Sequence, residues 1–478
     1  MGPRRFAAAH GGWLPLALVA ALATVGCTAP DTDDTREGER GPARPNVLLI
    51  VLCSFRYDHM GAAGYPRPTT PFLDELAARG AFLENATSAS SWTKPAAASL
   101  LTGLTPNVHG LTDFYSPREI KSGMLEPKRV LSDEIETLAE LFQEAGYATG
   151  ARINNHHVSA TFRLTQGFDD ARTASEDTRG LVEGFDRWLG RLDRARPFFF
   201  MIFTRDAHVS YRPDYGYYAK FDRSGATLAA RDYPGRFQRL GTRLKKVRES
   251  GVPIPAELRR AWVDLYDAEL AQLDATLARI PELLADRGRA ADTYVVVTAD
   301  HGERLLEDGT TGHGGRLDQR VLEIPLIVNG PGIVPGLRIP ELARSIDVLP
   351  TLAELANLRV PERVQGISLA PLLRGSTLPS HARSAFSSFE ESRYAVRMDR
   401  YKLRLDEDGQ LRLFDLEIDP EELNDLSATR PDAHERLRNE LSRWLSDEQR
   451  LRTTLPSNEA TALSEESVER LRALGYIE

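Results

Sequence analysis

Residues 294–315 read YVVVTADHGERLLEDGTTGHGG. Tyr294 to Thr298 is an uncharged, β-branched and aromatic run, the pattern of a strand buried on both faces. Asp300 and His301 follow at its C-terminal end, and a polar, glycine-punctuated loop then carries His313 between Gly312 and Gly314. In open α/β sheets, chemistry collects just beyond the carboxyl ends of the strands. A carboxylate and two imidazoles in that position point to metal and oxyanion binding. The plainer reading is an aspartate capping the next turn beside two surface histidines.

The rest of the chain repeats this layout. Val47 to Leu52 is a second buried strand in character, and it delivers Cys53, Ser54, Arg56, Asp58 and His59 to its end. Tyr147 to Ile153 leads into Asn154, Asn155, His156 and His157, and Phe198 to Phe203 leads into Asp206 and His208. Helices fall between them. Pro71 to Ala78 starts on proline and stops at Gly80, Thr137 and Glu140 form a capping box, and Ala256 to Leu284 is long with an interruption at Pro281. Ile324 to Val328 is a further strand, and Pro350 opens a helix through Leu355. Alternating strands and helices imply an α/β fold with a mainly parallel, helix-covered sheet. Near the C-terminus the pattern changes. Tyr401 to Leu405 and Leu411 to Asp415 flank Asp408-Gly409, a hairpin signal, and an amphipathic helix follows around His434 to Leu445. This predicts a small antiparallel-sheet domain with a helix.

The chain has 478 residues and a formal charge of −9, which argues against a nucleic-acid binder. Two cysteines, Cys27 and Cys53, provide no disulfide framework. Arg4 and Arg5 precede an apolar run from Trp13 to Val25, too short to span a bilayer comfortably. It ends in Thr24-Val25-Gly26-Cys27, which resembles a bacterial lipoprotein lipobox with Thr24 in place of the usual aliphatic residue. An ordinary signal peptide is the alternative, and either predicts export to the cell envelope, with lipid on Cys27 in the first case. The expected organisation is a leader over 1–27, a charged disordered tether over 28–44, a main domain over 45–385, and the small sheet with a helical tail over 386–478.

Ser91 to Gly103 reads SWTKPAAASLLTG. A hydroxyl just before Lys94-Pro95 and a run of small residues places Thr93 at a helix N-terminus, an end that binds anions and favours a developing alkoxide. A simple N-cap threonine is the commoner role. Taken with Ser99-Leu100-Leu101-Thr102-Gly103, Pro106, His109-Gly110, Thr298 to Glu303, Gly312-His313-Gly314, Ile324 to Val328, Ser345 to Leu373 and Arg400 to Leu416, the segment resembles the sulfatase family of the alkaline-phosphatase superfamily. The resemblance runs from about Pro45 to Leu445. It implies an alkaline-phosphatase-like α/β/α sandwich, a divalent metal, and hydrolysis of sulfate or phosphate esters on a small-molecule, glycan or lipid substrate.

The departures from that family set the chemistry to be tested. Where the family has a metal-binding Asp at the end of the first strand, this chain has Cys53. Where it has the Cys or Ser matured to formylglycine, this chain has Thr93, and the motif's Arg four positions on is Ala97. Threonine is the nucleophile in a sister family, the nucleotide pyrophosphatase/phosphodiesterases, and attack would then go through a Thr ester. Cys53 would ligate as a soft thiolate, so with Asp300, His301 and Thr93 it favours Zn²⁺ over the Ca²⁺ expected of sulfatases; an inert buried thiol is the alternative. The resemblance further implies substrate contacts from Lys94, Arg56, His208 and His313, with Asp206 available to a second metal. Two competing readings remain. One is a fold member without catalysis that binds a sulfated or phosphorylated ligand, and the other a phosphoryl-group transferase on envelope substrates.

Overall fold

The computed structural model describes residues 44–115, 119, 122, 125–223, 233–378, 383–465 and 467–469. The expected leader with Cys27, and the tether up to Ala43, lie outside the described residues.

The apolar runs become the centre of a nine-stranded sheet. Strand β1 (Asn46–Leu52) is buried along its whole length, as are β5 (Phe198–Thr204) and β6 (Thr293–Ala299). Around them lie β2 (Ala81–Thr87), β3 (Ala148–Ile153), β4 (Asp170–Thr173), β7 (Glu323–Asn329), β8 (Leu337–Ile339) and β9 (Ala343–Arg344). The spatial order is β8–β2–β7–β6–β1–β5–β3–β4, with β9 also on β2. All neighbours are parallel except β7, which runs antiparallel to both β6 and β2. Strands that hide both faces carry no polar alternation, which is why the sequence shows continuous Val, Leu, Ile and Phe runs.

The helices follow their local signals. Helix α1 (Pro71–Arg79) has proline in its first turn, and α2 (Thr93–Thr102) ends on Gly103 at φ 67°. A Cβ at Gly103 would meet Val364 Cγ1 at 2.8 Å, so both the left-handed turn and the packing call for glycine. Helix α3 (Leu138–Glu144) has the expected capping box, with both Thr137 and Glu140 engaged. Helix α4 (Thr178–Leu189) packs on β3 and β5. The basic helix α5 (Arg236–Glu249) precedes α6 (Ala256–Leu277) and α7 (Ile280–Asp286), which break apart just before Pro281. Helix α8 (Val348–Leu355) starts two residues before Pro350. No described helix is long and apolar enough to cross a membrane.

The small sheet contains β10 (Ser384–Phe389), β11 (Arg393–Met398), β12 (Tyr401–Leu405) and β13 (Leu411–Asp415), all antiparallel. Helix α9 (Pro431–Arg452) covers it, with Leu437, Leu441 and Trp444 packed on Val396, Leu403 and Leu413. Strand β10 is stitched to the segment that delivers Thr93. Ser387 Oγ donates to Ser88 O at 2.6 Å, Ser388 N to Ala89 O at 3.0 Å, and Ser90 Oγ to Ser388 O at 2.7 Å.

Candidate functional site

Register sets the site. Strand β1 pairs with β6 so that Leu52 lies opposite Ala299, and with β5 so that Leu52 lies opposite Thr204. The next residues along, Cys53 and Asp300, therefore leave the sheet side by side. Ser54 N donates to Asp300 Oδ1 at 3.2 Å, and His301 N donates to the same oxygen at 2.7 Å. Ser54 takes φ 62°, an uncommon value for serine, in turning the chain at this point. Gly302 N bonds Val321 O at 2.7 Å, and a Cβ there would come within 2.2 Å of Arg320 O. Only glycine lets the turn after His301 approach so closely.

Thr93 reaches the same place from α2. Its Oγ1 is 3.5 Å from Cys53 Sγ and 3.2 Å from His301 Nε2, fully buried at the first position of a ten-residue helix. His301 Nδ1 lies 2.8 Å from the carbonyl oxygen of Gly302, to which it can only donate. That assignment leaves a lone pair on Nε2, facing Thr93.

Cys53, Asp300 and His301 offer ligand atoms within 4.8 Å of one another, all buried. Among the described residues Asp300 Oδ2 has no hydrogen-bond partner, and it lies 3.4 Å from His301 Nε2. Burial, and then the charge of Asp300, push the Cys53 thiol up, and burial also raises the Asp300 carboxyl against the pull of His301. Two acids packed together out of water cannot both ionise without a counter-charge. An orphan carboxylate oxygen, a thiol and an imidazole lone pair suit a divalent cation that accepts sulfur and nitrogen, and they do not form the all-oxygen shell of Ca²⁺.

His313 and His208 stand beside this group. The His313 ring is 4.2 Å from His301 and 4.8 Å from His208 by centroid. Its Nδ1 is 3.3 Å from Glu303 Oε1 and 3.4 Å from Ser54 Oγ. Burial depresses His208 to about 3, with the Glu303 carboxylate opposing the shift, and burial also holds His313 well below the usual imidazole range.

Other expected residues are placed differently. Arg56 is buried, with Nε and Nη2 on Asp58 at 2.7 and 2.6 Å and Nη1 on Glu303 O and Glu307 Oε1 at 2.8 and 2.7 Å. A buried guanidinium needs such partners, and Arg56 braces the loop after β6. Asp206 accepts from Thr178 N, Thr178 Oγ1 and Asn154 Nδ2 at 2.8, 2.6 and 3.2 Å and is not brought to the Cys53 group. Lys94 points its ammonium at Asp113, 2.6 Å away, between the rings of Trp92 and Phe162. His156 and His157 are buried against aromatic rings, His157 edge-on to Trp92 at 5.5 Å. Three further residues border the site: Ser54, Glu303, and Asn155, whose Nδ2 is 3.4 Å from Cys53 Sγ. Their one signal in the sequence is position, each directly after a strand end or within the turn after β6.

Residues 45–358 match the sulfatase family model, and residues 316–450 match the model for the C-terminal part of N-sulphoglucosamine sulphohydrolase. The chain belongs to the sulfatase family, and so to the sulfuric or phosphoric ester hydrolases. It is 29% identical over 417 residues to arylsulfatase A of Bos taurus, covering 75% of this chain and 74% of that one. Its fold is similar to BT4656 in complex with its substrate D-glucosamine-2-N,6-O-disulfate, at 19% identity and TM-score 0.68 over 86% of this chain and 98% of that one. It is also similar to the phosphonate monoester hydrolase of Agrobacterium radiobacter, at 20% identity and TM-score 0.66 over 85% and 96%.

Burial lowers Lys94 to about 8, with Asp113 opposing the shift. Between that value and 10.5 the unfolded chain binds the extra proton, so the penalty for burying the ammonium lifts as pH rises through this window. Urea unfolding of the wild type and Lys94→Met at pH 7.5 and 10 should show the wild type gaining up to about 3 kcal/mol relative to the variant at the higher pH. Parallel pH dependence of the two would show that Lys94 titrates as an exposed lysine does.

Proposed function

We propose that this chain is an exported metallohydrolase of sulfate or phosphate esters that uses Thr93 as its nucleophile. The observation that carries this reading is Thr93 Oγ1 at 3.5 Å from Cys53 Sγ and 3.2 Å from His301 Nε2, at the N-terminus of a buried helix. Cys53, Asp300 and His301 would hold the cation, with Zn²⁺ favoured by the sulfur donor. Such an ion, when bound, lowers the pKa of a neighbouring hydroxyl and neutralises charge on the ester.

The protein residues supply the remaining steps. The N-terminus of α2 stabilises a Thr93 alkoxide and the anion facing it. Thr93 Oγ1 forms a bond to the phosphorus or sulfur of the ester as the bond to the alcohol oxygen breaks. The Thr93 proton passes to the His208 and His313 pair, whose protonation an incoming anion favours, and one of them gives it to the departing alcohol. Water then hydrolyses the Thr ester, because threonine cannot form the aldehyde hydrate that releases sulfate from a formylglycine. Phosphate esters are therefore the favoured class.

A second reading, a sulfatase-fold protein that binds its anion without turnover, is supported by Ala97 at the motif's arginine position and by the commitment of Arg56 to Asp58 and Glu307. The two readings separate on metal and turnover. Thr93→Ala should lower hydrolysis of aryl phosphate and aryl sulfate esters at least 10³-fold and keep stoichiometric metal, whereas Asp300→Ala should lose both (roughly as for other nucleophile and ligand deletions). A wild type without metal, whose activity Thr93→Ala leaves unchanged, contradicts the catalytic reading and favours the binding one.

The leader and its Cys27 support export and a lipid-anchored mature N-terminus. Cys27→Ser should move the protein from the membrane to the soluble fraction on centrifugation. Continued sedimentation of the variant with membranes would rule the anchor out.

A further inference from the structure

We propose that α5, residues 236–249, is a docking surface for a linear polyanion that presents its ester groups to the Thr93 site. The proposal extends the hydrolase reading from a small ester to a polymer that carries many of them. Within fourteen residues the helix holds Arg236, Arg239, Arg243, Lys245, Lys246 and Arg248 against the single acid Glu249, in a chain whose formal charge is −9.

Lys246 and Arg248 lie in the last turn, where cations suit the helix end, but the charge along the rest of the helix does not serve the helix itself. Like charges four apart, as at Arg239 and Arg243, weaken an α-helix. The helix is held by its other face, where Leu240 and Leu244 are buried and Phe237 packs on Trp262 at 5.1 Å between centroids. Arg239, Arg243, Lys245 and Lys246 are exposed on the outer side. Arg243 pairs with Glu257 at 2.8 Å, while Lys245 and Lys246 make no ion pair among the described residues. Arg239, Arg243 and Lys246 form one stripe about 10 Å long. Exposed Arg259 and Arg260 lie in the first turns of α6, the helix that follows.

The helix is tied to both loops that carry the site histidines. Arg248 Nε and Nη2 donate to Gly309 O at 3.1 and 2.7 Å, in the turn that precedes His313. Phe237 lies edge-on to Tyr211, three residues after His208, with centroids 5.8 Å apart. A chain of negative charges held along α5 is thereby anchored next to the site's own walls. A polymer fits better than a lipid surface, because an interfacial helix needs an outward apolar face and none of the exposed large apolar residues lies on α5.

The test uses the full chain and a variant with Arg239→Gln, Arg243→Gln, Lys245→Gln and Lys246→Gln. Dextran sulfate and long-chain polyphosphate are the probes, with uncharged dextran and phosphatidylglycerol vesicles as comparators, and melting temperature confirms that the variant folds. The wild type should bind both polyanions and not dextran, with log K falling linearly in log salt as counterions are released. The folded variant should bind at least tenfold more weakly at low salt, with a shallower salt slope, and should keep wild-type turnover of a small aryl ester. Equal polyanion affinity in the two proteins overturns the proposal, as does a wild type that binds the vesicles and neither polymer. If the wild type turns over no ester and the variant still loses polymer binding, the Thr93 reading falls and the docking surface stands.

Discussion

The parallel pairing of β1 with β6 is the constraint on which the site depends. Because Leu52 lies opposite Ala299, Cys53 and Asp300 emerge at one level at the carboxyl edge of the sheet. A slip of one residue would turn one of them into the core, since alternate side chains face opposite ways. Both strands are buried on both faces, so such a slip would still leave apolar residues inside. The register is held at this end by Ser54 N on Asp300 Oδ1, and that of β1 on β5 by Cys53 N on Thr204 O at 2.7 Å. The same contacts that fix the register also orient the candidate ligands.

A soft donor at Cys53 would change what the cradle selects without changing its formal charge, since a thiolate and a carboxylate each carry one negative charge. Sulfur adds preference for a borderline cation and sits farther from it than oxygen does. Burial holds the imidazoles of His208 and His313 below their usual range, beside the Glu303 carboxylate. The small sheet also takes part, because the serines of β10 bond the segment that delivers Thr93.

The central fold was legible because β1, β5 and β6 are uninterrupted apolar runs, and because the caps at Thr137 and Pro281 act locally. Strand β10 was not, since it buries Ser387 and Ser388 through hydrogen bonds to a distant loop and so lacks an apolar signature. The grouping of Cys53, Thr93, Asp300 and His301 could be read from strand ends and motif order. The partners of Arg56 could not: one of them, Glu307, lies far away in the chain, and which carboxylate neutralises a buried guanidinium is decided by tertiary packing. Asp206 is similar, its Oδ2 being taken by Thr178 at the start of α4 and its Oδ1 by Asn154 Nδ2.

Zinc K-edge X-ray absorption on the full chain supplied with Zn²⁺ measures directly whether Cys53 acts as a ligand beside Thr93. The expected spectrum contains one sulfur scatterer at about 2.3 Å together with nitrogen and oxygen at about 2.0–2.2 Å, and the sulfur shell disappears in Cys53→Ser. A bound ion with only nitrogen and oxygen neighbours in the wild type, or no bound ion at all, would contradict it.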